Sequence, residues 1–190
     1  MSILTLFKYL KMETTYNSAY RLPKTSTQTV GEDEFKASAS SVSNFAYKED
    51  TNYRFRPSME DAHKAVDSFM GDPNSGFFAI FDGHGGKEAV DYCKSRMDIE
   101  FQKALLESGR NVEQALRRCF TKVDDQLRLA GAINSGATAT VAFLRREMQH
   151  KVLYVANVGD SKAVITTHRD VQVLTYDHRG SDASEIDRIV

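Results

Sequence analysis

The sequence predicts an α+β fold in which antiparallel β-sheets carry helices on their outside. Candidate strands stand before and after a central pair of amphipathic helices, and they do not alternate with helices as strands do in parallel α/β folds. The chain has 190 residues, of which 41% are hydrophobic and 27% are charged. This length and composition are typical of one soluble globular domain with a single core.

The predicted domain is preceded by an N-terminal extension. Residues 1–12 are mildly apolar, and residues 13–34 are rich in Thr, Ser and other polar types, which predicts a flexible extension at 1–34 ahead of a domain at 35–190. Three strands are predicted early in the domain, at residues 38–46, 63–69 and 77–81. The Gly-Asp-Pro-Asn sequence at 71–74 predicts a turn between the second strand and the third.

Two helices follow, and each is indicated by apolar residues that recur every three or four positions. The first apolar stripe is Val90, Cys93, Met97, Phe101, Ala104 and Leu105. The second is Val112, Ala115, Leu116, Cys119, Phe120, Val123 and Leu127. Asn111 stands immediately before the second stripe and is a suitable N-cap.

Strands resume after the second helix. Four are predicted, at residues 137–144, 151–157, 162–167 and 171–174. A final helix is predicted from Ser181 or Asp182 onward, and the chain stops within its apolar pattern. This ending indicates that the domain is truncated.

Charge and cysteine content restrict the function classes. The formal net charge is -1, which gives no general attraction to nucleic acid or to an anionic membrane. No apolar run approaches the roughly 20 residues of a membrane span, and the N-terminus lacks the features of a secretory signal. The cytoplasm or the nucleus is therefore expected. Cys93 and Cys119 occupy apolar helix positions, which favours buried free thiols, with a disulfide as the alternative.

Two acidic clusters indicate a metal site. Glu60 and Asp61 precede a predicted strand, and Asp82 follows one directly, in the sequence Asp-Gly-His-Gly-Gly. Carboxylates that converge repel one another unless a cation is present, and hard divalent ions prefer oxygen ligands. Each feature also has an ordinary interpretation: Asp-Gly is usually a turn, Glu60-Asp61 alone is usually solvated surface, and an isolated His84 is more often structural than catalytic.

Five segments carry a resemblance to a known family. They are, in chain order, RPSMED at 56–61, FAIFDGHGG at 78–86, SGATA at 135–139, ANVGDSK at 156–162 and LTYDH at 174–178. Over residues 38–190 the chain resembles the metal-dependent serine/threonine protein phosphatases of type 2C, in particular the fungal type-1 members.

The resemblance implies a fold and a chemistry. The fold is a sandwich of two antiparallel sheets with helices outside, in four αββα layers, of which the C-terminal part is absent here. The site holds two Mg2+ or Mn2+ ions when complete, and these activate water for in-line attack on phosphorus. By resemblance the metal-site residues are Glu60, Asp61, Asp82, Gly83 and Asp160, the last at a third, weaker position.

Arg56 and His84 match the catalytic residues of the family. Arg56 corresponds to the phosphate-binding arginine, and His84 to the proposed general acid, with the alternative that His84 only holds metal-bound waters. The turn that carries Asp160 could equally be a plain turn. Thr138 is assigned a structural role. Lys162 replaces an arginine that is common in the family, so the salt bridge at that position is expected to differ.

Three functions remain open at this point. The expected one is metal-dependent hydrolysis of phosphoserine and phosphothreonine in proteins, in stress or MAP kinase signalling, by a monomer. The second is a catalytically impaired short form that acts as a binding or regulatory fragment, because two later metal-binding aspartates of the family are missing. The third is an unrelated Mg2+ hydrolase of small phosphates.

Overall fold

The computed structural model describes residues 5–10 and 41–189. None of the helices in these ranges combines the length and the apolar character needed to cross a membrane.

The centre of the fold is a five-stranded antiparallel sheet. Its strands are β1 (Thr5–Leu10), β2 (Ala62–Asp67), β3 (Gly76–Phe81), β6 (Ala139–Glu147) and β7 (His150–Val158), in the spatial order β1-β7-β6-β3-β2. The other strands form two short two-stranded sheets. In one, β4 (Gly83–His84) pairs with β5 (Gly136–Ala137), and in the other, β8 (Val164–Thr166) pairs with β9 (Val171–Val173). All of these pairings are antiparallel.

The helices of the described residues are α1 (Glu88–Glu107), α2 (Val112–Leu129) and α3 (Ala183–Ile189), and Phe69–Gly71 form a 3-10 turn. The predicted cap of α2 is confirmed, because the Asn111 side chain accepts a hydrogen bond of 3.0 Å from the Gln114 N–H. The predicted α+β class, with antiparallel sheets and helices, is therefore confirmed.

The hydrophobic core lies between the sheet and the pair α1–α2. Alternate residues of β3 and β6 face the helices, so that Phe77 and Phe143 lie opposite each other in the ladder and are both fully buried. Phe101 of α1 packs edge-on against Phe143, with ring centroids 4.9 Å apart. Cys93 and Cys119 belong to the same core as free thiols, as predicted, and burial raises the pKa of Cys93 to about 11.

The opposite face of the sheet is less covered. Phe78 contacts Phe45, but Ile80 on the same face is 46% exposed. The segment that crosses this face, residues 41–46, was predicted to be part of a strand at 38–46. That prediction is wrong for 41–46, which pair with no strand, and residues 38–40 lie outside the described ranges. The segment is fixed by side chains instead: the Ser41 N–H donates to Asp67 at 2.9 Å.

Residues 5–10 also differ from the prediction. They belong to the extension predicted to be flexible at 1–34, yet they form β1 and pair with β7 from Thr5↔Asn157 to Leu10↔Val152. A strand at the edge of a sheet has unpaired backbone N–H and C=O groups, and β1 forms hydrogen bonds with those of β7. The prediction is therefore wrong for residues 5–10, and residues 11–34 lie outside the described part of the chain.

The other predicted elements are confirmed with shifted bounds. The predicted strand at 137–144 is split, because Thr138 leaves the main sheet and its N–H donates to the Asp82 carbonyl at 2.8 Å. This break separates β5 from β6 and turns β5 toward the segment that follows β3.

Candidate metal centre

The Asp82-Gly83-His84 segment is held by backbone pairing at the end of β3. Gly83 and His84 form β4 and pair with Ala137 and Gly136 of β5. The Asp82 N–H donates to the Thr138 hydroxyl at 3.3 Å, while the Asp82 carbonyl accepts the Thr138 N–H. The main chain of the predicted metal-binding segment is thus fixed along residues 136–138 through both the N–H and the carbonyl of Asp82.

Glycine is required at position 83 by close packing. A Cβ placed there would lie 2.2 Å from the Glu60 carbonyl oxygen and 2.5 Å from Cγ1 of Val90. Because one of these neighbours is backbone, it cannot move aside at low cost. The missing side chain lets the Glu60-Asp61 segment approach Asp82.

The electrostatics of Asp82 show which predicted residues converge on it. Its pKa is raised above the usual range, and partial burial of the carboxylate is the largest cause although the residue as a whole is exposed. The negative charges of Asp61 and Asp160 raise this pKa further, and the positive charges of Arg56 and His84 oppose the rise. Asp61, Asp160, Arg56 and His84 therefore all lie within electrostatic reach of Asp82.

Glu60 takes part differently. Its backbone carbonyl packs against Gly83, which places the Glu60-Asp61 segment directly beside the residue that follows Asp82.

His84 lies against the backbone of β5. A Cβ added to Gly136 would come within 2.7 Å of the His84 Nε2 atom, so the imidazole occupies the space that a larger residue would need. His84 remains exposed at the site, where its ring is accessible to a substrate oxygen.

Asp160 is held by a chain of ion pairs. Its Oδ2 lies 3.7 Å from Nε of Arg179, and Nη2 of Arg179 lies 3.2 Å from Oδ2 of Asp177. Nζ of Lys162 contacts the same Asp177 oxygen at 2.6 Å. Lys162, the substitution noted in the sequence, thus forms a salt bridge, and its hydrogen bond is the largest cause of the lowered pKa of Asp177.

Two further side chains, Ser161 and Asn157, connect the parts of the site, and neither was assigned a role from the sequence. The Thr138 hydroxyl, which accepts from the Asp82 N–H, is 2.6 Å from the Ser161 hydroxyl. The buried Asn157 accepts from the Thr140 hydroxyl at 2.6 Å and donates to the Gly159 carbonyl at 3.0 Å. These contacts join β6 and the Asp82 segment to the turn that carries Asp160.

The residues present match a hard divalent cation in chemistry. Partial burial of Asp82 and the negative charges of Asp61 and Asp160 disfavour the ionised form of Asp82, and an oxygen-preferring cation would favour that form. Across residues 5–10 and 41–189, no three His, Cys, Asp or Glu side chains are arranged as a metal-ligand group. Asp82, Asp61 and Asp160 therefore supply the donor type and the charge, without forming a closed ligand set.

Comparisons with known proteins agree with this geometry. A family model described as Protein phosphatase 2C matches residues 45–190. Protein phosphatase 2C homolog 1 of Schizosaccharomyces pombe is 40% identical over 149 residues, which cover 74% of this chain and 42% of the relative. The Saccharomyces cerevisiae protein of the same description is 36% identical over 155 residues, covering 74% of this chain and 55% of the relative.

Solved structures resemble the fold. A Caenorhabditis elegans sex-determining protein superposes with a TM-score of 0.58 at 22% identity, covering 68% of this chain and 34% of that one. A Toxoplasma gondii phosphatase superposes with a TM-score of 0.53 at 19% identity, covering 70% of this chain and 53% of that one. The chain spans about half the length of the two fungal relatives, 42% and 55%. On its matching motifs, fold and sequence identity, the chain belongs to the protein phosphatase 2C family.

Proposed function

We propose that this protein hydrolyses phosphoserine and phosphothreonine in proteins, with water as the nucleophile. The observation that carries the proposal is that the Glu60-Asp61 segment packs against Gly83, with Asp61, Asp160 and Arg56 all within electrostatic range of Asp82. Such a site pairs acids that suit a cation with a guanidinium that suits a phosphate. The family match and the fungal relatives described as protein phosphatases support the same reaction.

In this mechanism Arg56 binds and orients the phosphoryl group. Its planar guanidinium donates two parallel hydrogen bonds to phosphoryl oxygens, which a lysine cannot reproduce with the same geometry. The position of Arg56 beside Asp82 brings the phosphorus to the acidic centre.

His84 protonates the leaving group. The water oxygen forms a bond to phosphorus as the bond from phosphorus to the serine or threonine oxygen breaks, and the imidazolium proton passes to that oxygen. The products are inorganic phosphate and the unmodified side chain. The exposed imidazole, fixed against Gly136, suits a donor to a substrate oxygen.

The acidic residues would hold Mg2+ or Mn2+, two ions when the site is complete. Asp82, Asp61 and Asp160 provide carboxylates, and Gly83 and Glu60 provide carbonyl and carboxylate oxygens. When bound, such ions acidify water and neutralise charge on the phosphoryl oxygens. Burial is the largest cause of the raised pKa of Asp82 and the charges of Asp61 and Asp160 add to it, and a bound cation would offset both by favouring the carboxylate.

Phosphate release from a phosphothreonine peptide in Mn2+ tests the proposal. We expect turnover by the natural sequence, about two orders of magnitude less for Asp82→Asn, and no loss for Asp125→Asn, a matched change at an exposed position of α2. Equal turnover by the Asp82 variant would contradict the proposal. Faster hydrolysis of nucleotides than of phosphopeptides would instead favour a small-phosphate hydrolase.

A leaving-group comparison tests His84 separately. We expect His84→Gln to slow phosphothreonine peptide hydrolysis about 100-fold, in the range of general acid catalysis. Hydrolysis of p-nitrophenyl phosphate should be slowed far less, because p-nitrophenolate leaves without protonation. Equal slowing of both substrates would indicate that His84 only holds water or supports the site.

A binding function without turnover is the second candidate, and one observation favours it: no three ligating side chains form a metal-ligand group in the part of the chain that the structure describes. In that case the protein would bind phosphopeptides through Arg56 in the presence of EDTA. Phosphopeptide binding that Arg56→Ala abolishes, with no Mn2+-dependent turnover, would support this candidate over catalysis.

We further propose phosphoproteins of stress-activated MAP kinase pathways as substrates, acted on in the cytoplasm or nucleus by a monomer. This proposal rests on the resemblance of the sequence motifs to fungal type-1 members, while the fungal relatives at 36–40% identity support the phosphatase activity alone. Dephosphorylation of a stress-activated MAP kinase should be faster than that of an unrelated phosphoprotein carrying phosphothreonine. Equal rates on the two would remove the proposed preference.

A further inference from the structure

The turn before Arg56 presents two aromatic side chains to solvent. Tyr53 is 83% exposed and Phe55 is 74% exposed, which are high values for residues of this size. Neither ring is covered by another segment in the described ranges. Exposed aromatic residues beside a functional site are typical of contact surfaces, because they supply large areas at a low cost in conformational entropy.

The turn itself is ordered. Asn52 adopts a left-handed conformation, with φ of 53°, and its carbonyl accepts hydrogen bonds from the N–H groups of Phe55 and Arg56 at 2.8 and 3.1 Å. The Asn52 N–H donates to Asp50 at 2.9 Å. The backbone is thus fixed before a ligand arrives, which reduces the entropy lost on binding.

The position of the turn connects this surface to the phosphate site. Phe55 directly precedes Arg56, whose charge acts on Asp82, and Glu60, four residues after Arg56, packs its carbonyl against Gly83. Adjacent Cα atoms are about 3.8 Å apart, and an extended peptide advances about 3.3 Å per residue. The residues one to three positions from a phosphorylated residue bound at Arg56 are therefore within reach of Tyr53 and Phe55.

The charge and the apolar area of this surface indicate which substrate side chain fits it. The Arg54 guanidinium carbon lies 5.5 Å from the centre of the Phe55 ring, so a cation already occupies the neighbourhood of that ring. A second basic side chain would be repelled there, whereas an apolar side chain would bury exposed aromatic surface. The surface thus fits an apolar residue.

We propose that Tyr53 and Phe55 form a specificity surface for extended phosphoprotein segments that carry a large apolar side chain within three residues of the phosphorylated serine or threonine. This inference rests on the proposed phosphatase function and names its substrate class. It assigns the two aromatic residues to substrate selection, while Arg56 binds the phosphate itself.

Paired phosphothreonine peptides test the inference. The two peptides differ only in having leucine or alanine two residues from the phosphothreonine. For the natural sequence we expect kcat/KM to be about tenfold higher with leucine, in the range that one buried anchor contributes. The double substitution Tyr53→Ser and Phe55→Ser should reduce this ratio to about one. Each rate is divided by the same protein's rate on p-nitrophenyl phosphate, so that a general loss of activity cancels.

Leu106→Ser provides the matched control. Leu106 is 57% exposed near the end of α1, a helix of 20 residues that begins beside the site, so it lies about 25–30 Å away. This variant should keep the tenfold ratio. A ratio near one for the natural sequence, or a ratio that survives the double substitution, would overturn the inference.

A binding measurement separates this inference from the proposed function. Fluorescence anisotropy of the two labelled peptides requires no turnover. Tighter binding of the leucine peptide that the double substitution abolishes would support the inference even if p-nitrophenyl phosphate were not hydrolysed. Equal binding of both peptides would overturn it whether or not the protein is catalytic.

Discussion

The two halves of the candidate centre are held by different kinds of interaction. Asp82 and Gly83 are fixed by backbone hydrogen bonds of the β4–β5 ladder and by close packing against Glu60 and Val90. Asp160 lies on a turn after β7 and is held by an exposed ion pair to Arg179. Backbone ladders persist at high salt, whereas exposed ion pairs are weak and screened.

This difference in how the two halves are held indicates that one half of the site is rigid and that the other can adjust. The Asp82 half is fixed by its backbone, and burial, followed by the charges of Asp61 and Asp160, raises the pKa of Asp82. The Asp160 half can adjust more, because the Asp160 carboxylate is held by an exposed ion pair, although the His178 N–H donates to the neighbouring Gly159 carbonyl at 3.1 Å. A rigid Asp82 and an adjustable Asp160 suit a metal centre in which Asp160 moves to its final position when a cation or further ligand residues are present.

The largest effect is expected from a break in the rigid half. Gly83→Ala would place a Cβ 2.2 Å from the Glu60 carbonyl oxygen, and we expect a loss of about 3 kcal/mol in the free energy of unfolding. Urea denaturation measures it. Gly180→Ala is the control, since nothing lies within 4 Å of a Cβ there, and it should change stability by less than about 0.5 kcal/mol. Similar stability of the two variants would refute the packing argument.

A smaller effect is expected at the junction of the halves. Thr138→Val keeps the shape but removes the hydroxyl that contacts both the Asp82 N–H and Ser161. We expect a loss of about 1 kcal/mol, the usual contribution of a hydrogen bond. Thr166→Val, at an exposed position of β8, should be close to neutral. If Thr138→Val were also neutral, the hydroxyl would not couple the two halves.

A smaller effect again is expected in the adjustable half. Arg179→Gln removes the ion pairs to Asp160 and Asp177, and its effect on the urea midpoint should be below that of Thr138→Val. The effect should disappear in about 1 M salt, where the screening length is about 3 Å. Arg146→Gln removes the same charge from an arginine that forms no ion pair with the described residues. A salt-independent effect of Arg179→Gln would contradict the comparison.

The smallest effect concerns the pH dependence of stability. A raised folded-state pKa means that Asp82 contributes stability at low pH and loses that contribution as pH rises through the folded pKa. In EDTA, Asp82→Asn should therefore gain stability relative to the natural sequence between about pH 4 and pH 7. Urea midpoints at the two pH values measure this change. A relative loss by the variant over the same interval would show that the pKa is lowered instead.

Local patterns predicted the elements whose neighbours are close in sequence. The apolar run of β3 and the stripes of α1 and α2 appear where expected, since burial of one face is encoded in spacing. Residues 5–10 and 41–46 were predicted wrongly, because a strand also needs an available partner edge. The β7 edge accepts residues 5–10, and residues 41–46 meet only side chains.

The site was predictable to the extent that its residues lie in motifs. Asp82, Asp61 and Asp160 came from the sequence, and the structure brings their charges together. Arg179 lies outside the motifs and reaches Asp160 across 19 positions, so no spacing rule indicates it. The link from Thr138 to Ser161 likewise depends on how β5 leaves the sheet, which is a property of the tertiary fold.

Mn2+ binding tests the central claim most directly, because it needs no substrate. Electron paramagnetic resonance measures free Mn2+ in the presence of the natural sequence, Asp82→Asn and the control Asp125→Asn. We predict binding by the natural sequence and the control, and an affinity at least about tenfold lower for Asp82→Asn, a loss of about 1.4 kcal/mol. Equal Mn2+ affinity of all three proteins, or no binding by the natural sequence, would contradict a metal centre at Asp82.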